Sequence, residues 1–190
     1  MDVLPKLFGS AARVKLLRLF LFNPGVIFTC EEAASRARVP VREVAHELGS
    51  FATIKLLSRS RGKVQKYTLN LEFPQVSQLQ DLLLNASTRA DDIYKRLSRI
   101  GNIKLVVVAG IFLGEWEGRI DLLIVADRVK EERLRKIVRV LESEIGREIR
   151  YGVLSTQEFF YRLNMNDHLV RDVLDYKHRI VYDRLDIGLE

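Results

Sequence analysis

Apolar residues recur at three- and four-residue intervals from Ser10 to Phe22 (Val14, Leu16, Leu17, Phe20, Leu21), predicting an amphipathic helix that stops at Asn23-Pro24-Gly25. Thr29, preceded by Phe28 and followed by Glu31 and Glu32, carries three agreeing start signals for a short helix reaching about Arg38: a capping hydroxyl, acids in the first turn and an apolar residue just before. Pro40 pushes Val39 out of the helical region, and the helical pattern resumes from Val41 to about Ile54 with Val44, Leu48 and Phe51 on one face. Lys55–Arg59 and Val64–Leu69 read as two short strands around the glycine-bearing turn Ser60-Arg61-Gly62-Lys63.

Beyond Phe73-Pro74, Val76 to about Asn85 is a connecting helix with an apolar stripe, and Arg89–Arg99 is another. From Ile103 the pattern alternates. Lys104–Ala109, Ile120–Val125 and Ile149–Leu154 are apolar runs of strand length, Lys130–Ile145 is helical, and Ser155-Thr156-Gln157-Glu158 opens a helix bearing Phe159, Phe160 and Leu163. Leu169–Leu174 adds a further turn or two, and Arg179–Tyr182 closes as a short strand.

Composition changes this picture in two ways. The chain has 190 residues, 47% of them hydrophobic, with one cysteine, Cys30, so an internal disulfide framework is excluded and a reducing, cytoplasmic setting is expected. Arg13, Lys15 and Arg18 interrupt the first apolar run, and the longest uncharged one, Leu105–Gly114, is too short for a membrane span; neither export nor membrane insertion is expected. The net charge of +6 is localised: residues 1–72 hold 12 Lys and Arg against 6 Asp and Glu, whereas residues 73–190 hold 19 of each. A basic first third joined to a neutral remainder points to a polyanion-binding module attached to something else.

The order helix, helix, Pro-containing turn, helix, basic hairpin is that of a winged helix-turn-helix. Phe28–Leu69, with Val39-Pro40-Val41-Arg42 opening the third helix and Arg61-Gly62-Lys63 in the hairpin, resembles the winged-helix domains of small bacterial and archaeal transcription regulators. With Val44, Leu48 and Phe51 inward, Arg42, Glu43, Ala45, His46, Gly49 and Ser50 are left outward; Arg42 and His46 are the candidates for base edges, and Ser50 shares their face. Arg36, Arg38, Arg59, Arg61, Lys63 and Lys66 are the candidates for phosphates. Two base-edge candidates make a thin reading surface, and Ala45, Gly49 and the acidic Glu43 and Glu47 depart from the basic recognition helix of a tight, sequence-specific binder.

The stretch from about Ile103 to Tyr182 resembles the nucleotidyltransferase superfamily in its minimal form, on a strand ending at Gly110, then Arg119-Ile120-Asp121-Leu122-Leu123-Ile124-Val125, a long helix, and a strand ending Val153-Leu154-Ser155-Thr156. The resemblance implies a phosphate-holding Gly-Ser after the first strand, an Asp-x-Asp on the second and a third carboxylate on the next, because two Mg²⁺ ions need converging carboxylate oxygens. Here Ile111 follows Gly110, Arg119 takes the first Asp position, Asp121 matches the second, and Arg150-Tyr151 replace the third. The expectation is a vestigial nucleotide site at Gly110, Arg119 and Asp121, with no catalytic residue, metal or cofactor. Glu115 and Glu117 in the intervening loop read as solvated acids, and Trp116 as a half-buried lid over the sheet.

Other chemistry is dismissed. His46-Glu47 lacks the second histidine of a zinc-protease helix, since Ser50 stands there; Gly110-x-x-x-Gly114 lacks the Lys-Ser/Thr of a phosphate loop; Ser10 and Ser155 have no nucleophile-elbow context; His168 and His178 read as surface side chains. The expected protein is therefore α+β with two domains: a winged helix-turn-helix over 1–72, connecting helices over 73–100, and a degenerate nucleotidyltransferase-like α/β domain with a small mixed sheet over 101–190. Its expected role is regulation of transcription, its partners double-stranded DNA, a second copy of the chain through the connecting helix or the second domain, and a further protein. An active nucleotidyltransferase and an antitoxin-like module are the competing readings.

Overall fold

A computed structural model describes residues 3–85, 90–115 and 120–187. The chain is α+β and divides into two compact units, Met1–Ser87 with Val140–Glu148, and Thr88–Arg139 with Ile149–Glu190.

In the first unit, α1 (Leu4–Phe8) and α2 (Ala11–Leu21) are followed by β1 (Phe28–Thr29), α3 (Cys30–Ala37), α4 (Val41–Thr53), β2 (Leu57–Arg59), β3 (Lys66–Leu69) and α5 (Val76–Asn85). The three strands form an antiparallel sheet in the order β1-β3-β2, with Phe28 opposite Tyr67 and Leu57 opposite Leu69. Local chemistry accounts for the boundaries. Ser10 caps α2 by accepting the Arg13 N–H. Thr29 and Glu32 form a reciprocal capping box at α3, whose last turn ends on Arg38 in the left-handed region (φ 52°). Thr29 and its amide hold the Glu32 carboxylate below the usual range, chiefly through the amide N–H.

The α2 helix differs from the amphipathic helix that its spacing predicts. From Leu16 to Leu21 every residue is buried, Arg18 included. The segment Val140–Glu148 belongs to the same unit, and there the Arg18 guanidinium donates to the Glu144 carbonyl (2.9 Å) while the Asn23 amide donates to the Gly146 carbonyl. Gly146 sits at φ +84°, and a Cβ on it would lie 2.5 Å from the Arg18 backbone, so only glycine allows this approach.

The second unit contains α6 (Ala90–Leu97), β4 (Asn102–Ala109), a 3₁₀ turn (Gly110–Leu113), β5 (Leu122–Asp127), the first part of α7 (Glu131–Ile145), β6 (Tyr151–Leu154), α8 (Thr156–Asn164), α9 (His168–Leu174) and β7 (His178–Asp183). Its sheet is mixed, in the order β6-β5-β4-β7: β4 runs antiparallel to β5 and β7, and β5 runs parallel to β6. Leu105, Val107, Leu123 and Val125 form one core with Leu154 and with Phe159, Val170 and Val173 of α8 and α9. The alternate residues Val106, Val108, Leu122 and Ile124 are also fully buried, which explains why these strands are apolar without alternation. At the end of β5, Asp127 accepts the Thr156 N–H and hydroxyl, and those bonds hold its carboxyl below the ordinary range.

Candidate functional site

The α4 helix is sorted by burial. Val44, Glu47, Leu48 and Phe51 are buried; Val41, Arg42, Glu43, Ala45, His46 and Ser50 are exposed, and Gly49 is half-buried. Glu47 is the departure from the sequence reading. It turns inward and accepts from Arg13 Nε at 2.8 Å, so its charge is matched by α2 and does not add acid to the outward face. The signal was present: Glu47 stands three residues after Val44 and four before Phe51, on the inward stripe. Arg42, His46 and Ser50 follow one another at four-residue steps along the exposed side.

The β2–β3 hairpin supplies the remaining cations. Arg59, Arg61, Lys63 and Lys66 are all exposed, and the connection closes where Ser60 exchanges hydrogen bonds with Lys66, its amide donating to the Lys66 carbonyl and its hydroxyl accepting the Lys66 N–H. Lys66 lies in the field of the Glu32 carboxylate, a neighbour that the register Thr29 opposite Lys66 brings about. Arg38 is exposed at the end of α3. Arg36 is exposed too, with its guanidinium engaged by Glu148. Cys30, the first residue of α3, gives its thiol to the Val41 carbonyl; burial, helped by the Glu31 charge, pushes that thiol up from its ordinary value and away from thiolate reactivity.

In the second unit, Asp121 is fully buried and its carboxylate is completely engaged. Oδ1 accepts from the Ile111 N–H (3.0 Å) and Arg150 Nη2 (3.0 Å); Oδ2 accepts from the Arg150 N–H (2.9 Å) and Arg150 Nε (3.0 Å). Arg150 is thus a bidentate partner, and no local signal could have revealed it, since the pair is 29 residues apart. The backbone reinforces the arrangement: the Ala109 N–H donates to the Asp121 carbonyl, and the Asp121 and Leu122 N–H groups donate to the Arg150 carbonyl. Gly110, at φ +50°, is part of the same cluster, because a Cβ there would lie 2.2 Å from Asp121 Oδ1. Glycine at this position is required by the carboxylate itself. A hard cation approaching Asp121 has to displace a guanidinium.

Arg119, Trp116 and Glu117 lie outside the described residues, so the vestigial site is described through Gly110 and Asp121 alone; Glu115 is exposed. Among the described residues, no three His, Cys, Asp or Glu side chains gather as metal ligands, and no helix is long and apolar enough to cross a membrane. An open cavity of about 500 Å³ lies along α8, lined by Glu158, Tyr161, Arg162, Met165 and Asp167, with Arg162 bonded to both acids. No family model, curated protein or solved structure matches the chain.

Proposed function

We propose that this protein is a cytoplasmic, homodimeric DNA-binding transcription regulator whose first unit is a winged helix-turn-helix and whose second is a nucleotidyltransferase-like domain used for interaction or sensing rather than catalysis. The observation that carries the reading is the presence of one exposed helix face, bearing Arg42, His46 and Ser50, and an exposed hairpin bearing Arg59, Arg61, Lys63 and Lys66, in a unit where α2, α3 and α4 accompany a β1-β3-β2 sheet. A helix of this kind fits the major groove, and hairpin cations reach the phosphates beside it. The inward turn of Glu47 supports the reading further, since it removes an acid from the surface that would meet DNA. For the second unit, a carboxylate saturated by Arg150 and two amides is unsuited to gathering Mg²⁺.

The test is a titration of random-sequence duplex DNA at several salt concentrations. The expected result is an affinity that falls steeply with salt and a slope reduced by about two when Arg61 and Lys63 are both changed to Ala, one unit per lost phosphate contact. Binding without a steep slope, or a double variant indistinguishable from the wild type, refutes the reading. Mg²⁺-dependent incorporation of labelled nucleotide that is lost in Asp121→Ala would establish the enzymatic alternative instead.

A further inference from the structure

The neutral balance of residues 73–190 conceals a strong polarity within the second unit. Residues 95–104 hold four Lys and Arg and no acid, and residues 128–139 hold six against Glu131 and Glu132. The rest of that unit carries 8 Lys and Arg against 13 Asp and Glu. The fold brings the two basic segments together. The Lys130 N–H donates to the Ile100 carbonyl (2.7 Å), and the Arg133 guanidinium donates to the Arg99 carbonyl (3.4 Å). Gly101 permits this approach, since a Cβ on it would lie 2.9 Å from the Asp127 carbonyl oxygen and 3.0 Å from that of Arg128.

The outward side of α7 continues the basic surface. Leu134 and Val138 are buried; at about 100° per residue Lys136 falls opposite their midpoint, with Arg133 and Arg139 about 60° to either side. All three are exposed, Arg135 is exposed beyond Arg139, and Glu132 is the one acid among them. Among the described residues, no ion pair holds Arg99, Lys130, Arg133, Arg135, Lys136 or Arg139. Like charges on neighbouring turns repel, so the fold alone does not favour gathering them, whereas a polyanion laid across them relieves the repulsion.

We propose that the outward side of α7, with the end of α6 beside it, is a second DNA-binding surface that grips the phosphates of a duplex without reading its sequence. Charge complementarity selects a polyanion, and what the surface lacks selects the duplex. Residues 95–104 and 128–139 contain no Phe, Tyr or Trp, so they offer no platform on which the bases of a single strand could stack. The exposed large apolar side chains of the described residues all lie outside these two segments, so the surface has neither the anchors of a protein interface nor a wedge for a lipid surface. Cations projecting from a helix suit the backbone of a double helix, which carries about one negative charge per 1.7 Å of its axis. That the duplex is DNA rests on the regulator reading above; the cationic surface itself does not.

The experiment titrates the full chain with a random-sequence DNA duplex of about 40 base pairs, roughly four helical turns, at several salt concentrations. Lys136→Ala with Arg139→Ala should lower the salt slope by about two, so that between about 50 and 200 mM salt the wild type loses about 10-fold more affinity than the variant. Alanine suits an exposed helix position, so the variant keeps its fold and an unchanged Tm verifies it. Arg171→Ala with Lys177→Ala removes the same charge from the acidic remainder of the unit and should leave the slope intact. Acetylation of lysines, read by mass spectrometry, locates the contact: the duplex should protect Lys130 and Lys136 and leave Lys177 reactive. If the hairpin variant Arg61→Ala with Lys63→Ala lowers the slope while the α7 variant matches the wild type, the second surface is wrong and the regulator reading survives. If the α7 variant lowers it and the hairpin variant does not, the surface stands and the regulator reading falls. If no duplex binds, both fall. A single strand of equal length that binds as tightly, or anionic phosphatidylserine vesicles that protect Lys136 where the duplex does not, overturns the inference.

Discussion

Replacing Arg150 with Met isolates the contribution of the guanidinium to the buried Asp121 cluster, because the variant keeps the Arg150 backbone N–H that also serves the carboxylate. The carboxylate has no solvent exposure and four hydrogen bonds, two from the guanidinium and two from amides. The variant removes both charge-assisted bonds and leaves a buried anion with two amide donors. Breaking a buried pair costs about 3–5 kcal/mol, but the Arg150 side chain is 40% exposed, so water enters its place and the expected loss is nearer 2–4 kcal/mol. For a chain of this size that corresponds to about 5–15 °C in Tm. Exchange protection of the Ile111 and Arg150 amides should fall with it, which locates the effect. Arg171→Met, which breaks an exposed i,i+4 pair with Asp175, serves as the control and should cost about 0.5 kcal/mol or less. The assay is thermal unfolding followed by circular dichroism, with and without about 10 mM Mg²⁺, a concentration that would stabilise any protein binding the ion at millimolar affinity. Mg²⁺ should leave the wild type unchanged. The reasoning fails if Arg150→Met behaves like the surface control, or if Mg²⁺ raises the wild-type Tm by several degrees and Asp121→Asn removes the rise.

Gly110→Ala should be nearly as damaging, about 2–4 kcal/mol, because the new methyl meets Asp121 Oδ1 at 2.2 Å on a backbone that side chains rarely adopt; a urea midpoint shifted by less than a tenth of a molar contradicts it. Asp127 gives a pH dependence. Its folded carboxyl titrates below the ordinary value, so its contribution is present above the unfolded pKa and is lost as pH falls through the folded one. The stability advantage of the wild type over Asp127→Asn should therefore shrink as pH drops below about 4, and a constant difference from pH 5 to pH 2.5 argues against the Thr156 bonds as the cause.

What the sequence carried on its own is the part of the structure governed by near neighbours. The starts of α2, α3 and α8 follow from Ser10, Thr29 and Ser155 as caps, because a helix end is satisfied by groups three residues away. The burial of Val44, Leu48 and Phe51, and the exposure of Arg42, His46 and Ser50 opposite them, follow from helical periodicity, which needs no tertiary information. The segregation of positive charge is a property of composition alone. Tertiary structure decided the pairings between residues far apart along the chain. The two-residue β1 exists only because Phe28 and Thr29 meet Tyr67 and Lys66 across the sheet. Arg18 is buried because Val140–Glu148 joins the first unit and offers a carbonyl to its guanidinium. Asp121 became a structural anion rather than an open carboxylate because the β5–β6 pairing brings Arg150 against it, and periodicity carries no information about which charge will be found 29 residues later. Local order is set by interactions within a turn; the identity of a buried ion's partner is set by how strands pair.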